Sequence, residues 1–185
     1  MNKSFDYLIL KIIQTLITRT CDPFLSLFSL LGSFEVTTAL LILIVAQSVQ
    51  KRTSKFLVLG TYALGMTIEL LGKRFIYHPG PPRSVFRTQL PFSIPSGFVH
   101  TAYSFPSGHS FRTVFLATLI WQLLWESSLS TQYKRLLSVF VVGFVFLMLL
   151  SRVSLGEHWP SDVLGGLGLG LILGWLARRL VPATK

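Results

Sequence analysis

Apolar and polar positions follow one another along this chain in long blocks, not at the short period of a half-buried soluble fold. Five apolar blocks, at approximately 34–50, 54–73, 109–125, 133–151 and 159–178, each approach the roughly 17 to 25 helical residues needed to cross about 30 Å of hydrocarbon. Between them lie short polar clusters and one long outer loop, 74–108, rich in Pro, Gly, Ser and Phe. The pattern predicts an all-α, polytopic transmembrane bundle of five spans, because a helix satisfies its own backbone hydrogen bonds in lipid. Residues 1–31 depart from it: Asp6, Lys11 and Arg19 interrupt residues 5–20, and Asp22-Pro23 breaks whatever precedes the apolar run 24–31. The preferred reading of this stretch is an N-terminal amphipathic helix on the membrane surface. A sixth span with a broken middle is the alternative, and a cleaved signal peptide is disfavoured because no uninterrupted apolar region precedes a small-residue cleavage site. No linker or repeat divides the chain, so 1–185 reads as one membrane-embedded domain whose motifs lie within 54–180.

Composition strengthens the membrane reading. With 51% hydrophobic residues, 13% charged residues and a mean hydropathy of +0.60, the chain is too apolar for an ordinary soluble domain. A net charge of +10 raises nucleic acid as a partner, but the cations sit in short clusters between apolar blocks, as topology signals and anionic-lipid contacts do. Nucleic-acid binding is therefore not expected. The single Cys21 allows no intrachain disulfide and is expected to be packed in apolar surroundings.

Candidate chemistry concentrates at two block mouths. In Ser151-Arg152-Val153-Ser154-Leu155-Gly156-Glu157-His158-Trp159-Pro160-Ser161-Asp162, His158 and Asp162 stand at helical spacing, so the carboxylate can fix the imidazole tautomer and stabilise its cation. Arg152 can grip an anion beside them. A second histidine, in Pro106-Ser107-Gly108-His109, opens another apolar block. Threading the chain through its spans brings Lys73, Ser107, His109, Arg152, His158 and Asp162 to one membrane side. Lys51, Arg52, Lys55, Lys134, Arg135, Arg178, Arg179 and Lys185 collect on the other, which the positive-inside rule makes cytoplasmic. The site then opens to the periplasm or cell exterior, in the plasma or inner membrane.

Each piece alone has a plainer explanation: a helix cap at Ser107, a hydrogen-bonded structural pair at His158 and Asp162, a snorkelling Arg152. Their convergence on one side is what favours chemistry. Other features read as structure. Gly165-Gly166-Leu167-Gly168-Leu169-Gly170 has the glycine density of a phosphate loop but lies inside an apolar block, where small residues allow close helix packing. Glu69, four residues before Lys73, is its expected ion-pair or capping partner. Trp121, Trp125, Trp159 and Trp175 are expected to anchor at the interface.

These motifs resemble the type 2 phosphatidic acid phosphatase superfamily, membrane lipid phosphatases related in their active site to vanadium haloperoxidases. The family pattern has a Lys followed after six residues by Arg-Pro, then Pro-Ser-Gly-His, then Ser-Arg with a His six residues after the Arg and an Asp four after that. The second and third parts are intact as Pro106 to His109 and as Ser151, Arg152, His158 and Asp162. In the first, Lys73 leads to Gly80-Pro81 where the family has Arg-Pro. Arg83 or His78 is the nearby cation expected to stand in.

The resemblance implies a metal-independent phosphoric ester or diphosphate hydrolase without a cofactor. His158, held by Asp162, would attack phosphorus to form a phosphohistidine. His109 would protonate the leaving oxygen and then activate water, while Lys73, Arg152, Ser107 and the Gly108 amide would hold the phosphoryl oxygens. No metal site is expected, since zinc-ligand spacings are absent and the acids beside the histidines are too few for a two-metal site. The expected substrate is a lipid phosphate presented by the membrane, polyprenyl diphosphate ahead of phosphatidate or phosphatidylglycerophosphate. A non-hydrolytic phospholipid-binding or lipid-translocating protein and a haloperoxidase are the competing readings. Oligomeric state is not legible.

Overall fold

In the computed structural model, residues 3–48, 51–90, 95 and 101–180 are described. Every regular element among them is a helix: α1 (Lys3–Leu16), α2 (Asp22–Ser29), α3 (Phe34–Ser48), α4 (Arg52–Phe75), α5 (Gly108–Glu126), α6 (Thr131–Ser154) and α7 (Pro160–Arg179), with short 3₁₀ turns at 19–21, 30–32 and 83–85. Three of them, α4, α6 and α7, are long and apolar enough to cross a membrane alone. Together with the apolar surface turned outward, including Val139, Phe140 and Phe146 of α6 and Ile172 of α7, they make this an integral membrane protein.

Among the described residues, the block 34–50 is too short to count as a span by itself. Its described part, α3, has 15 residues, about 22 Å at 1.5 Å per residue, short of the hydrocarbon thickness; residues 49–50 lie outside the described residues. It reaches sufficient length only with the preceding segment Arg19–Gly32, from which it is bent by 46°. That pair raises the number of candidate spans to four. The third expected span, α5, carries Ser110, Arg112, Thr113, Thr118 and Gln122, too polar a set to qualify on composition. It lies inside the bundle, where Phe111, Phe115 and Leu119 meet Leu41, Val45, Val58, Tyr62 and Leu173.

The N-terminal segment is two helices, not one, and α1 is turned inside out relative to a soluble amphipathic helix. Phe5, Leu8, Ile12 and Leu16 are exposed, while Asp6 and Leu10 are buried and Gln14 donates to Val85 O at 2.8 Å and Ser154 O at 2.9 Å. With an apolar surrounding medium, Asp6 and Gln14 find their partners inward. Two smaller expectations are corrected as well. Cys21 is exposed, because the turn at 19–21 leaves it outside the packed face of α2. Trp159 is buried and donates its indole N–H to Pro79 O at 2.8 Å, making it a core residue and not an interface anchor.

Of the glycine run, Gly166 and Gly170 form the seam against α5. A Cβ at Gly166 would stand 2.4 Å from Ser107 O, and one at Gly170 would stand 2.7 Å from Phe111 O. This is close helix packing through small residues, as the sequence predicts. At the other junction, Gly156 has φ +70, a left-handed conformation that favours glycine. It turns the chain out of α6 and presents Glu157 and His158.

Candidate active site

A cavity of about 590 Å³ opens among α3, α4, α5 and the α6–α7 turn, with Lys73, His109, Arg112, Arg152, Glu157 and His158 on its polar side and Phe34, Met66 and Leu70 on its apolar side. Pro95 and Thr101 of the long loop also line it, whereas 91–94 and 96–100 of that loop lie outside the described residues. The loop is held by backbone bonds from Tyr103 N to Lys73 O at 3.1 Å and from Arg87 N to Leu155 O at 2.8 Å. The two histidines expected to cooperate, separated by 49 positions, therefore reach one cavity.

His158 is oriented from below. Its Nδ1 lies 3.3 Å from Asp162 Oδ2, which also accepts from Trp159 N at 3.0 Å as part of the α7 capping box. The pairing leaves Nε2 as the nitrogen free to act. Burial pushes the imidazole below its ordinary value and Arg152 adds to the fall, while the hydrogen bond to Asp162 opposes it. Since 12% of the side chain remains accessible, the ring is dry but reachable. Asp162 is itself enclosed: its carbonyl accepts from Ser107 N at 2.9 Å, tying the two motif segments together. His78 Nε2 lies 3.2 Å from Asp162 Oδ1, within ion-pair distance but outside hydrogen-bond geometry.

His109, on the first turn of α5, is backed by the bend between α2 and α3. A Cβ at Gly32 would lie 3.1 Å from His109 Cδ2, 3.0 Å from Thr113 Oγ1 and 2.9 Å from Met148 Sδ. The break in the N-terminal pair thus brings a bare backbone corner against the imidazole.

The cations arrive already paired. Glu69 Oε1 accepts from Lys73 Nζ at 2.6 Å, as the four-residue spacing predicts, and Oε2 accepts from Arg112 Nη1 at 3.0 Å. Gly108 makes room for this carboxylate, since a Cβ there would come 2.0 Å from Glu69 Oε1. Arg152 Nη2 pairs with Glu157, whose other oxygen accepts from Thr88. Arginine offers five N–H donors, and Nε of both Arg112 and Arg152 has no hydrogen-bond partner among the described residues. Each guanidinium therefore keeps donors for a second anion.

Ser107 and Gly108 are buried and do not line the cavity; the Ser107 hydroxyl accepts from Ser110 Oγ at 3.0 Å and caps α5. Arg83 is exposed on the turn 83–85 and stays outside the cavity. Pro81-Pro82 carry the chain away before it, and Val85 is then anchored by Gln14. His78 is also outside, buried between Asp162 and Ser161. Arg112 and Glu157 were not singled out by sequence. The signal for Arg112 was its position three residues after His109, on the same helix face. Among the described residues, no group of three or more His, Cys, Asp or Glu is placed to hold a metal ion.

Comparison with known proteins supplies the context for this geometry. Residues 54–185 match the family described as the PAP2 superfamily. The chain is 34% identical over 86 residues to phosphatidylglycerophosphatase B of Bacillus subtilis, a match covering 46% of this chain and 42% of that one. It is 42% identical over 88 residues to the putative undecaprenyl-diphosphatase YbjG of Escherichia coli, covering 45% and 38%. These stretches span about two fifths of the relatives' length. In three dimensions it resembles the crystal structure of a transmembrane PAP2-type phosphatidylglycerolphosphate phosphatase from Bacillus subtilis, with TM-score 0.75 at 24% identity over 96% of this chain and 85% of that one.

Proposed function

The chain belongs to the PAP2 superfamily, and from that premise we propose that it is an integral membrane lipid phosphatase that works through a phosphohistidine. The observation that carries this reading is the His158–Asp162 pair facing a cavity shared with His109, Lys73 and Arg152. His158 Nε2 attacks phosphorus, an N–P bond forms, and the P–O bond to the lipid breaks as His109 gives the leaving oxygen its proton. Water then attacks the phosphohistidine, His109 takes the proton, and inorganic phosphate leaves. Arg152 and Lys73 stabilise the charge that gathers on the non-bridging oxygens. A His158 held neutral by burial is ready as a nucleophile, so the acid limb of kcat/KM falls below the ordinary histidine range.

The apolar side of the cavity supports a lipid substrate, because Phe34 and Leu70 line it and are exposed at its edge, where they can receive a chain whose headgroup lies at the histidines. Polyprenyl diphosphate remains the preferred substrate. The 34% identical phosphatidylglycerophosphatase favours phosphatidylglycerophosphate as the second. With Arg178 and Arg179 at the far end of α7, the positive-inside rule faces the site outward from the plasma or inner membrane.

The test is phosphate release by the purified full chain from undecaprenyl diphosphate, phosphatidylglycerophosphate and phosphatidate, beside His158→Ala. Release from at least one lipid by the wild type and none by the variant is expected. A wild type that binds these lipids without releasing phosphate would instead establish a lipid-binding or translocating protein.

A further inference from the structure

We infer that Arg112 is a phosphate-gripping residue of this site, filling the charge that the resemblance would place at position 80. The inference rests on the phosphatase reading and deepens it. Position 80 holds an exposed glycine outside the cavity, and Arg83 turns away. Arg112 lies inside: it lines the cavity with both histidines, is only 6% exposed, and sits one helical turn beyond His109.

Its hydrogen bonding is incomplete in a way that points to a ligand. Nη1 donates to Glu69 Oε2 at 3.0 Å and approaches Met66 Sδ at 3.9 Å, while the buried Nε has no partner among the described residues. A buried donor without an acceptor is destabilising. A phosphoryl oxygen entering between His109 and Arg152 would supply the acceptor. Glu69 then has a definite part. One carboxylate holds Lys73 and Arg112 at once, from α4 and α5, setting the two cations at a fixed separation before any lipid enters. It is a positioning residue, and neutralising Arg112 is not the whole of what that pair does.

The opposing view is that Arg112 only balances the buried Glu69 charge. A double variant separates the two, because removing both charges leaves no carboxylate unpaired by loss of Arg112. With the full-length protein and whichever of the three lipids it hydrolyses fastest, Arg112→Met is expected to lower kcat/KM by about 10- to 100-fold, the scale of a charged hydrogen bond. The vanadate inhibition constant should rise by a similar factor. Glu69→Gln/Arg112→Met, checked for a wild-type elution profile, should stay as impaired as Arg112→Met. Recovery of the double variant to the level of Glu69→Gln alone would overturn the inference, as would a vanadate constant unchanged in Arg112→Met. Should the wild type release no phosphate at all, the phosphatase reading fails, and vanadate binding by wild type against Arg112→Met still decides whether Arg112 grips an oxyanion.

Discussion

The seam between α5 and α7 and the clamp that holds the N-terminal helices support the same histidines by opposite means. The seam is apolar and local in its logic: Gly166 and Gly170 let two backbones approach until side chains of α5 rest on bare chain. The clamp is polar and long-range. Arg87 reaches Asp22 through Nε at 2.9 Å and Gln14 O through Nη1 at 3.1 Å, while Asp6 accepts from Ser161 N at 3.0 Å and Ser161 Oγ at 2.7 Å. In a bilayer, shape can fix two helices without any polar contact, but a helix that turns most of its apolar side outward has little more than Leu10 and its polar residues to secure it inward.

The sharpest way to break the seam is Gly166→Leu, whose side chain would meet the Ser107 carbonyl and the Phe111 amide nitrogen. Neither is a flexible side-chain tip, so the expected result is loss of a monodisperse, folded protein on gel filtration. Gly168→Leu is the matched control, since a Cβ there meets nothing within 4 Å, and should elute as wild type. If both variants fold equally well, the seam is not close-packed.

Breaking the clamp should cost less, and through charge. Arg87→Ala strands the buried Asp22 carboxylate, a change worth about 3–5 kcal/mol, so thermal unfolding in detergent should begin at clearly lower temperature. Asp22→Asn/Arg87→Met should recover much of the loss. An unshifted transition in Arg87→Ala would show that the N-terminal helices are held by something else.

Smallest is Asp6→Asn. Asp6 caps the start of α7, and Ser161 in turn lies 3.3 Å from His78 Nε2, beside Asp162. Losing a carboxylate at a helix N-terminus costs about 0.3–1 kcal/mol. Felt at His158, it should lower kcat about 2- to 5-fold and leave KM unchanged. A changed KM with constant kcat would mean that α1 acts on lipid entry and not on the histidine pair.

The two regions also differ in how much of them could be read from the chain. The glycine run and the Glu69–Lys73 pair lie within one or two turns of single helices, and His158 stands only four residues before Asp162, across the start of α7, so short spacing brings each set together. Asp6 and Ser161, or Gln14 and Val85, meet across 155 and 71 positions, and no local period encodes that. Asp6 was legible only as an interruption of an apolar stretch. The bend that joins Arg19–Gly32 to α3, the burial of Trp159 and the exposure of Cys21 escape local reading for the same reason, since each depends on which distant backbone lies alongside. Arg112 stood within reach of local reasoning, but its meaning depends on Glu69 arriving from another helix.

The contact between Asp6 and Ser161 joins the first described helix to the last. During synthesis, α1 emerges with a carboxylate whose partner is still some 150 residues away in the message, and which would be costly to leave alone in hydrocarbon. Gln14 of the same helix can meet Val85 and Ser154 beforehand, but Asp6 finds its partner only when α7 has entered the membrane. Seating of the Asp6 end of α1 is thus a late event, and a chain still lacking α7 leaves this acid without the two Ser161 donors that it meets in the folded protein.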